Sequence, residues 1–293
     1  MTRQFTDPRM DREFPDWGGL DPRAAGHVFG DVSTYLGLPI EKIAQAYWFY
    51  RDRQDAAAQR QVAEATDEAT VLAYYTSTPH YLYELSYWEA SLEKQAWFRV
   101  LARACQKYGL RRVLDFGGGV GGLNLYLKTH GIPCDYLDVP GKTFDYAAWR
   151  FARHGLDVAT YQTTSSSNPP EGALDAIMAW DVLEHLFDLD GTMGNIARWL
   201  RPDGWFISKS TFSEEHDGHE SGIHLAKHAC YSDIRQFNQL ILRNGFRYLG
   251  QLKPNPLSRL LRQCGLRYAV AGIAIMPRLK HGGNFLVHTR LSR

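Results

Sequence analysis

Short apolar runs alternate with longer amphipathic stretches between about residues 106 and 250. The short runs are rich in β-branched and aromatic residues and end in polar turns, which is the pattern of buried strands. The longer stretches have the spacing of helices. This alternation predicts an α/β fold built on a doubly wound, mainly parallel sheet. Strands are predicted near 112–116, 134–139, 157–162, 175–182, 204–210, 246–253 and 284–290.

The N-terminal third of the chain lacks this alternation. Met1–Gly30 is rich in proline, glycine and aspartate, which predicts an extended or irregular arm. Helices are predicted over Pro39–Ala58, Gln61–Tyr75 and Ser91–Tyr108. This region therefore reads as an arm followed by a helical cap.

Two regions follow from these patterns. Residues 1–105 are predicted to form the N-terminal arm and a helical cap or lid, and residues 106–293 the sheet domain. The last two predicted strands are separated by an insertion at about 254–283. The longest apolar run, Ala269–Met276, is too short to span a bilayer, and Met1–Gly19 has no apolar signal-peptide segment.

The most informative segment is the apolar run Val113–Phe116, which carries Asp115 and is followed by the glycine-rich turn Gly117–Gly121. Glycine lets a ligand lie directly on the backbone, because it has no side chain. The glycines also satisfy the dinucleotide pattern G-x-G-x-x-G, which is weak evidence alone. A carboxylate two residues before the first glycine repels a pyrophosphate and suits a ligand with a cationic end. The turn therefore favours S-adenosylmethionine over NAD.

A second acid supports a nucleoside ligand. Asp138 ends the predicted second strand, about 20 residues after the first glycine, where an acid accepts hydrogen bonds from ribose hydroxyls. Both candidate cofactors carry a ribose, so Asp138 does not choose between them.

Four segments in this order resemble the class I S-adenosylmethionine-dependent methyltransferases. V-L-D-F-G-G-G-V-G at 113–121 matches the first motif of that family, and Asp138 matches its ribose-binding acid. Leu174–His185 is similar to the fourth strand with its "VLEH", and Trp199–Trp205 to the "LLKPGG" turn. The resemblance implies a sheet of seven strands whose last strand is antiparallel. It also implies cofactor contacts from Asp115, Gly117, Gly119, Gly121, Asp138, Val139, Gln162 and Asp181.

The resemblance is incomplete after the third strand. Many members of the family carry an acid or amide there that reads the adenine amino group, but no acid precedes Glu171 in this chain. Gln162 or Thr163 is the candidate for that contact.

Seven aromatic or histidine side chains cluster between residues 74 and 88. Pro79 must interrupt any continuous helix through them. One interpretation is core packing between the cap and the sheet. The other is a lid in which rings such as Tyr75 and Tyr81 bound the acceptor and exclude water.

Four of the eleven histidines lie after the predicted fifth strand, at 216, 219, 224 and 228. A histidine there can serve as a general base, since its ordinary pKa is near ~6.5. The preferred bases are His219 and His224, with His216 contacting the acceptor. The alternatives are a divalent-metal site that includes Glu220, which the irregular spacing makes the weaker hypothesis, and a solvated loop without chemistry. His185 is interpreted as structural.

Composition narrows the partners. The formal net charge of +1 gives no overall attraction to nucleic acid or membranes. Residues 251–293 carry eight Lys and Arg and no acid, which leaves an RNA or protein methyltransferase as an alternative. The four cysteines are scattered without C-x-x-C, which fits a reducing, cytoplasmic setting. The oligomeric state is left open, with a homodimer as one alternative.

The sequence thus predicts a methyltransferase that moves a methyl group from S-adenosylmethionine to an oxygen or nitrogen of a small molecule, in natural-product biosynthesis. S-adenosylhomocysteine is the expected product, and no metal is expected. A NAD-dependent oxidoreductase is the less favoured alternative, because Asp115 opposes a pyrophosphate.

Overall fold

The computed structural model describes residues 19–51, 56–212, 224–252 and 285–291. The loop histidines His216 and His219, the predicted insertion at about 254–283 and most of the basic tail lie outside these residues. No helix within the described residues is long and apolar enough to cross a membrane.

One seven-stranded sheet forms the centre of the fold, with strand order β3-β2-β1-β4-β5-β7-β6. Strand β7 runs antiparallel to both of its neighbours, and the remaining pairs are parallel. The predicted doubly wound sheet with an antiparallel last strand is therefore confirmed. The strands are Val113–Phe116 (β1), Cys134–Asp138 (β2), Thr160–Gln162 (β3), Leu174–Trp180 (β4), Leu200–Lys209 (β5), Phe246–Leu252 (β6) and Phe285–Arg290 (β7).

Helices precede the sheet and then alternate with its strands. They are Pro22–Leu36 (α1), Ile43–Arg51 (α2), Ala56–Ala63 (α3), Glu68–Ser77 (α4), His80–Glu89 (α5), Leu92–Tyr108 (α6), Gly122–Thr129 (α7), Lys142–Arg153 (α8), Leu189–Trp199 (α9) and Ile234–Arg243 (α10). Short 3-10 turns cover Ile40–Lys42, Leu183–His185 and Ala226–Ser232.

Apolar packing covers both faces of the sheet. Helices α6 and α7 cover one face through buried side chains such as Trp97 and Leu127. Helices α9 and α10 cover the other face through Ile196, Phe237 and Leu240. Because both faces are buried, the central strands β1 and β4 are mostly apolar, as is usual in parallel sheets.

The strand order reverses between β1 and β4. These two strands are paired in parallel, with Val113 beside Ala176 and Phe116 beside Ala179. Ligands of open α/β sheets bind outside the carboxyl ends of the strands at such a switch point. The site therefore lies where β1 and β4 end.

The predicted irregular arm over Met1–Gly30 is wrong for its second half, because α1 already begins at Pro22. The Asp21 side chain accepts hydrogen bonds from the backbone N–H groups of Arg23 and Ala24, and proline suits the first helical position. Proline and aspartate, which suggested an irregular arm, are here the start signals of a helix.

A buried ion network joins two of the helices that precede the sheet, α1 and α5, to α8 and the glycine turn. The Arg150 guanidinium on α8 donates to Asp31 of α1 at 3.1 Å and to Glu89 of α5 at 2.7 Å. It also donates to the backbone carbonyl of Val120 in the glycine turn at 2.8 Å. Since a buried charge is tolerated only when it is paired, this network fixes α1 and α5 against the glycine turn.

The helices that precede the sheet are interrupted at more points than the sequence predicts. The predicted helix Gln61–Tyr75 is split, since α3 ends at Ala63 and α4 begins at Glu68, where the Asp67 side chain caps the Thr70 N–H at 2.8 Å. The break at Pro79 is confirmed: α4 ends at Ser77 and α5 begins at His80.

Candidate functional site

The glycine turn after β1 brings backbone close to the site. Gly117 and Gly119 have φ of 72° and 56°, a region that L side chains rarely adopt. A Cβ added at Gly118 would lie 2.8 Å from a carboxylate oxygen of Asp115, and one at Gly117 would collide with the Val182 side chain. The turn therefore admits no side chain at these two positions, and its backbone stays bare.

Asp115 lies beneath this turn with an unusual environment. It is 5% exposed, and its Oδ2 has no hydrogen-bond partner among the described residues. Burial raises the pKa of this carboxyl to about 7, although the nearby Lys94 ammonium acts in the opposite direction. A buried carboxylate oxygen without a partner is costly, so it fits a ligand that brings a positive charge.

Asp138 ends β2 and faces the same turn. Its carboxylate accepts hydrogen bonds from the backbone N–H groups of Gly119 at 2.6 Å and Val139 at 2.7 Å. Burial raises its pKa to about 6, while these two hydrogen bonds lower it. The acid is held at the strand end, where a ribose hydroxyl can reach it.

A single cavity of about 870 Å³ runs along the ends of the strands. It is lined at one end by the glycine turn, Asp115 and Asp138, and at the other by Tyr75, Tyr81, His185 and His224. Asp181, with φ of 52°, directly follows β4 and also lines the cavity. This volume is in the upper part of the usual range for small-molecule sites.

We call the second end of the cavity the aromatic end, defined by Tyr75, Tyr81, His185 and His224. The Tyr75 hydroxyl lies 2.9 Å from Nδ1 of His185, and the rings of Tyr75 and Tyr81 stack with centroids 5.5 Å apart. The rings of His185 and His224 have centroids 5.3 Å apart. Residues from three distant segments thus meet at one wall.

Glu184 lies behind these imidazoles and is fully buried. Its Oε1 accepts a hydrogen bond from the Thr211 backbone N–H at 2.8 Å. Burial, followed by the negative charge of Asp181, raises its pKa. One carboxylate oxygen of Glu184 and one ring nitrogen each of His185 and His224 lie within 4.8 Å of one another. Within the described part of the chain, these three residues could therefore bind a divalent metal ion.

The sequence-predicted residues are placed as follows. Asp115, Gly117, Gly119, Asp138, Val139, Asp181, Tyr75, Tyr81 and His224 line the cavity. Gly121 and Gln162 do not, whereas Thr163, the alternative to Gln162, does. Gly121 instead directly precedes α7 as its N-cap, where an added Cβ would collide with the Phe151 ring. His216 and His219 lie outside the described residues.

Sequence reasoning missed several residues of the cavity. Lys94, Trp88 and Trp180 lie together near Asp115, and Glu184 and His185 lie near His224. The sequence interpretation of His185 as structural rested on its frequency in the resembled family. Its contact with Tyr75 spans 110 residues, so no local pattern indicates it.

The fold and the site define a class of protein. The sheet with antiparallel β7, the glycine turn over Asp115 and the acid at the end of β2 are together those of the class I S-adenosylmethionine-dependent methyltransferases. The unpartnered buried oxygen of Asp115 fits the cationic end of that cofactor. The chain belongs to the family described as "Methyltransferase domain", whose model matches residues 86–251, more than half of the chain.

Curated relatives are much longer than this chain. A hybrid PKS-NRPS synthetase, mpsA of Macrophomina phaseolina, is 32% identical over 134 residues, which cover 42% of this chain and 3% of that protein. The lovastatin diketide synthase lovF of Aspergillus terreus is 29% identical over 125 residues, covering 39% of this chain and 5% of that protein. Among solved structures, the YcgJ protein from Bacillus subtilis is 15% identical with a TM-score of 0.46, covering 67% of this chain and 98% of that one.

Proposed function

We propose that this methyltransferase acts on an oxygen or nitrogen of a small-molecule acceptor in natural-product biosynthesis. The observation that carries the proposal is the continuous cavity, which joins the glycine turn to the aromatic end. A methyl group can be transferred only if donor and acceptor share one enclosed space in line with each other. The kinship to polyketide-forming synthases supports a biosynthetic acceptor.

The glycine-turn end holds the cofactor. Asp115 faces its cationic end, Asp138 accepts hydrogen bonds from its ribose, and the turn leaves the backbone bare beneath it. S-adenosylmethionine supplies an electrophilic methyl group on a sulfonium. Thr163 lines the cavity after β3 and is the proposed contact for the adenine.

The aromatic end holds the acceptor. Tyr75 and Tyr81 offer stacked rings to a flat molecule, and their packing against His185 excludes water from this wall. The acidic side chains Glu68, Glu84 and Asp188 also line the cavity, whereas no described arginine does. A neutral or cationic acceptor therefore fits this end better than an anionic one.

His224 is the proposed proton acceptor. It is buried, lines the cavity and lies against His185, which the Tyr75 hydroxyl orients. An imidazole in this position takes the proton that an attacking hydroxyl or amine releases. His219 remains the alternative base predicted from the sequence.

The test is transfer from cofactor labelled with ¹³C on the methyl group to a panel of flat phenols and aromatic amines. We expect formation of S-adenosylhomocysteine and an NMR signal at the shift of an O-methyl or N-methyl group. A label found only on carbon would contradict the acceptor atom proposed here. Cofactor binding without transfer to any acceptor of the panel, but with transfer to a peptide or RNA, would overturn the acceptor class.

A further inference from the structure

Lys94, near the start of α6, occupies a position that the reaction chemistry does not explain. Its ammonium lies 3.2 Å from the centroid of the Trp88 ring and 3.3 Å from that of the Trp180 ring. Trp180 ends β4, so this ammonium lies at the carboxyl ends of the strands and lines the cavity. The two indole faces hold the charge by cation–π attraction.

The ammonium is surrounded by acids but bonded to none of them in the described part of the chain. The charges that act on its pKa through space are, from the largest effect to the smallest, those of Asp181, Lys209, Asp115 and Glu93. Burial lowers its pKa to about 7, so burial makes the charge of this ammonium costly. A cation held in this way fits an anionic partner that arrives with a ligand.

The other cavity lysine already has a partner. The Lys209 ammonium lies 3.8 Å from a carboxylate oxygen of Glu93. Lys94 and Lys209 are the lysines that line the cavity in the described ranges. Lys94 is therefore the cation that the described residues offer to an incoming anion.

The cofactor carries such an anion. Its amino-acid end has an ammonium and a carboxylate on the same carbon, and Asp115 and Asp181 suit the ammonium. A carboxylate beside these two acids would be repelled unless a cation faced it. Lys94, Asp115 and Asp181 all line the cavity, and both acids lie close enough to Lys94 to act on its charge.

We propose that Lys94, held between Trp88 and Trp180, is the anchor for the carboxylate of the cofactor's amino-acid end. The proposal rests on the cofactor assignment and adds an anion subsite to it. Lys94 is a positioning residue: by fixing the amino-acid end it sets where the methyl group lies relative to the aromatic end of the cavity.

The test compares two ligands by calorimetry: S-adenosylhomocysteine and its decarboxylated analogue, which keeps the ammonium, ribose and adenine. Lys94→Met retains most of the side-chain volume between the indoles and removes the charge. We expect S-adenosylhomocysteine to bind roughly 10- to 100-fold more weakly to this variant, the loss expected for a charge-assisted hydrogen bond. The analogue should bind as it does to the wild type, or modestly more tightly.

Lys107→Met is the matched control, because Lys107 lies on the same helix with its ammonium over the Tyr108 ring at 4.9 Å. Both variants are checked for unchanged thermal melting before titration. We expect the control to bind both ligands like the wild type.

Three results would overturn the anchor. Equal affinity of Lys94→Met and wild type for S-adenosylhomocysteine would show that no ion pair forms. Equal losses for both ligands would show a general structural effect. Tighter binding of S-adenosylhomocysteine to the variant would show that Lys94 competes for the cation position. A wild type that binds neither ligand would instead refute the cofactor assignment, so the two failures are distinguishable.

Discussion

The two ends of the cavity are built in different ways. The glycine-turn end is built from backbone and from residues at the ends of strands. The glycine turn follows β1 directly, and Asp138 ends the neighbouring strand β2. The aromatic end uses side chains from α4, α5, the turn after β4 and the segment before α10. The first is a property of the sheet, whereas the second depends on how the cap packs. One scaffold can therefore keep its cofactor while its acceptor changes.

The sharpest way to separate the two ends is His224→Ala. We expect the turnover number to fall by about 10²- to 10⁴-fold, the usual contribution of a general base, while affinity for S-adenosylhomocysteine stays unchanged. The measurement is steady-state kinetics beside calorimetry. His228→Ala is the control, because His228 is also buried but does not line the cavity, and its Nε2–H donates to the Leu186 carbonyl at 2.8 Å. Unchanged turnover in His224→Ala would remove it as the base.

Asp138→Ala perturbs the glycine-turn end of the cavity instead. The loss of the acceptor for the ribose hydroxyls should weaken binding of S-adenosylhomocysteine by roughly 10- to 100-fold. Asp135→Ala is the control on the same strand, because Asp135 does not line the cavity. Calorimetry measures both variants, and equal affinity of Asp138→Ala and wild type would place the ribose elsewhere.

The pH dependence of cofactor affinity should have a maximum near pH 7. Asp115, whose pKa is raised to about 7, must be deprotonated to attract the ammonium, so affinity falls as the pH decreases. Lys94, whose pKa is lowered to about 7, must be protonated to attract the carboxylate, so affinity falls as the pH increases. Asp138, Asp181, Glu93 and Lys209 are the other charged groups of this end.

Two groups with these pKa values predict a loss of roughly threefold at pH 6 and at pH 8 relative to pH 7. Asp115→Asn should reduce the acid limb to the contribution of Asp138, whose pKa is raised to about 6, and Lys94→Met should remove the alkaline limb. Calorimetric titrations of S-adenosylhomocysteine across this range measure both limbs. A flat profile in the wild type would contradict the charges assigned to this end.

Chelation should have the smallest effect. Glu184 already accepts a hydrogen bond from Thr211, and Nδ1 of His185 is engaged by the Tyr75 hydroxyl. We therefore expect dialysis against a chelator to leave both turnover and cofactor affinity unchanged, with less than stoichiometric metal in the purified protein. Loss of turnover that Zn²⁺, Mn²⁺ or Fe²⁺ restores would assign Glu184, His185 and His224 to a metal instead.

The difference between the two ends also explains what the sequence could predict. The glycine-turn end is encoded locally in the sequence. The residues of the glycine turn are contiguous, and the chain from the turn to Asp138 is part of a single βαβ unit. The sheet followed from its apolar runs for the same reason. The aromatic end is not local, because the contact of Tyr75 with His185 depends on the docking of α4.

The sequence analysis did not predict the start of helix α1 or the place of Lys94 in the cavity, for physical reasons. The start of helix α1 was not predicted because proline and aspartate are typical of irregular chain. Here Asp21 caps the helix and Pro22 is its first residue. The place of Lys94 in the cavity was not predicted because a lysine near the start of an amphipathic helix is usually a surface residue. Only its position between Trp88 and Trp180, one of them at the end of β4, shows that it belongs to the cavity.

The central claim is that a bare glycine turn above a buried carboxylate selects a cationic methyl donor over a dinucleotide. Parallel calorimetric titrations of the wild type with S-adenosylhomocysteine and with NAD⁺ measure it directly. We predict one site for S-adenosylhomocysteine and no measurable binding of NAD⁺. Binding of NAD⁺ without binding of S-adenosylhomocysteine would contradict the account.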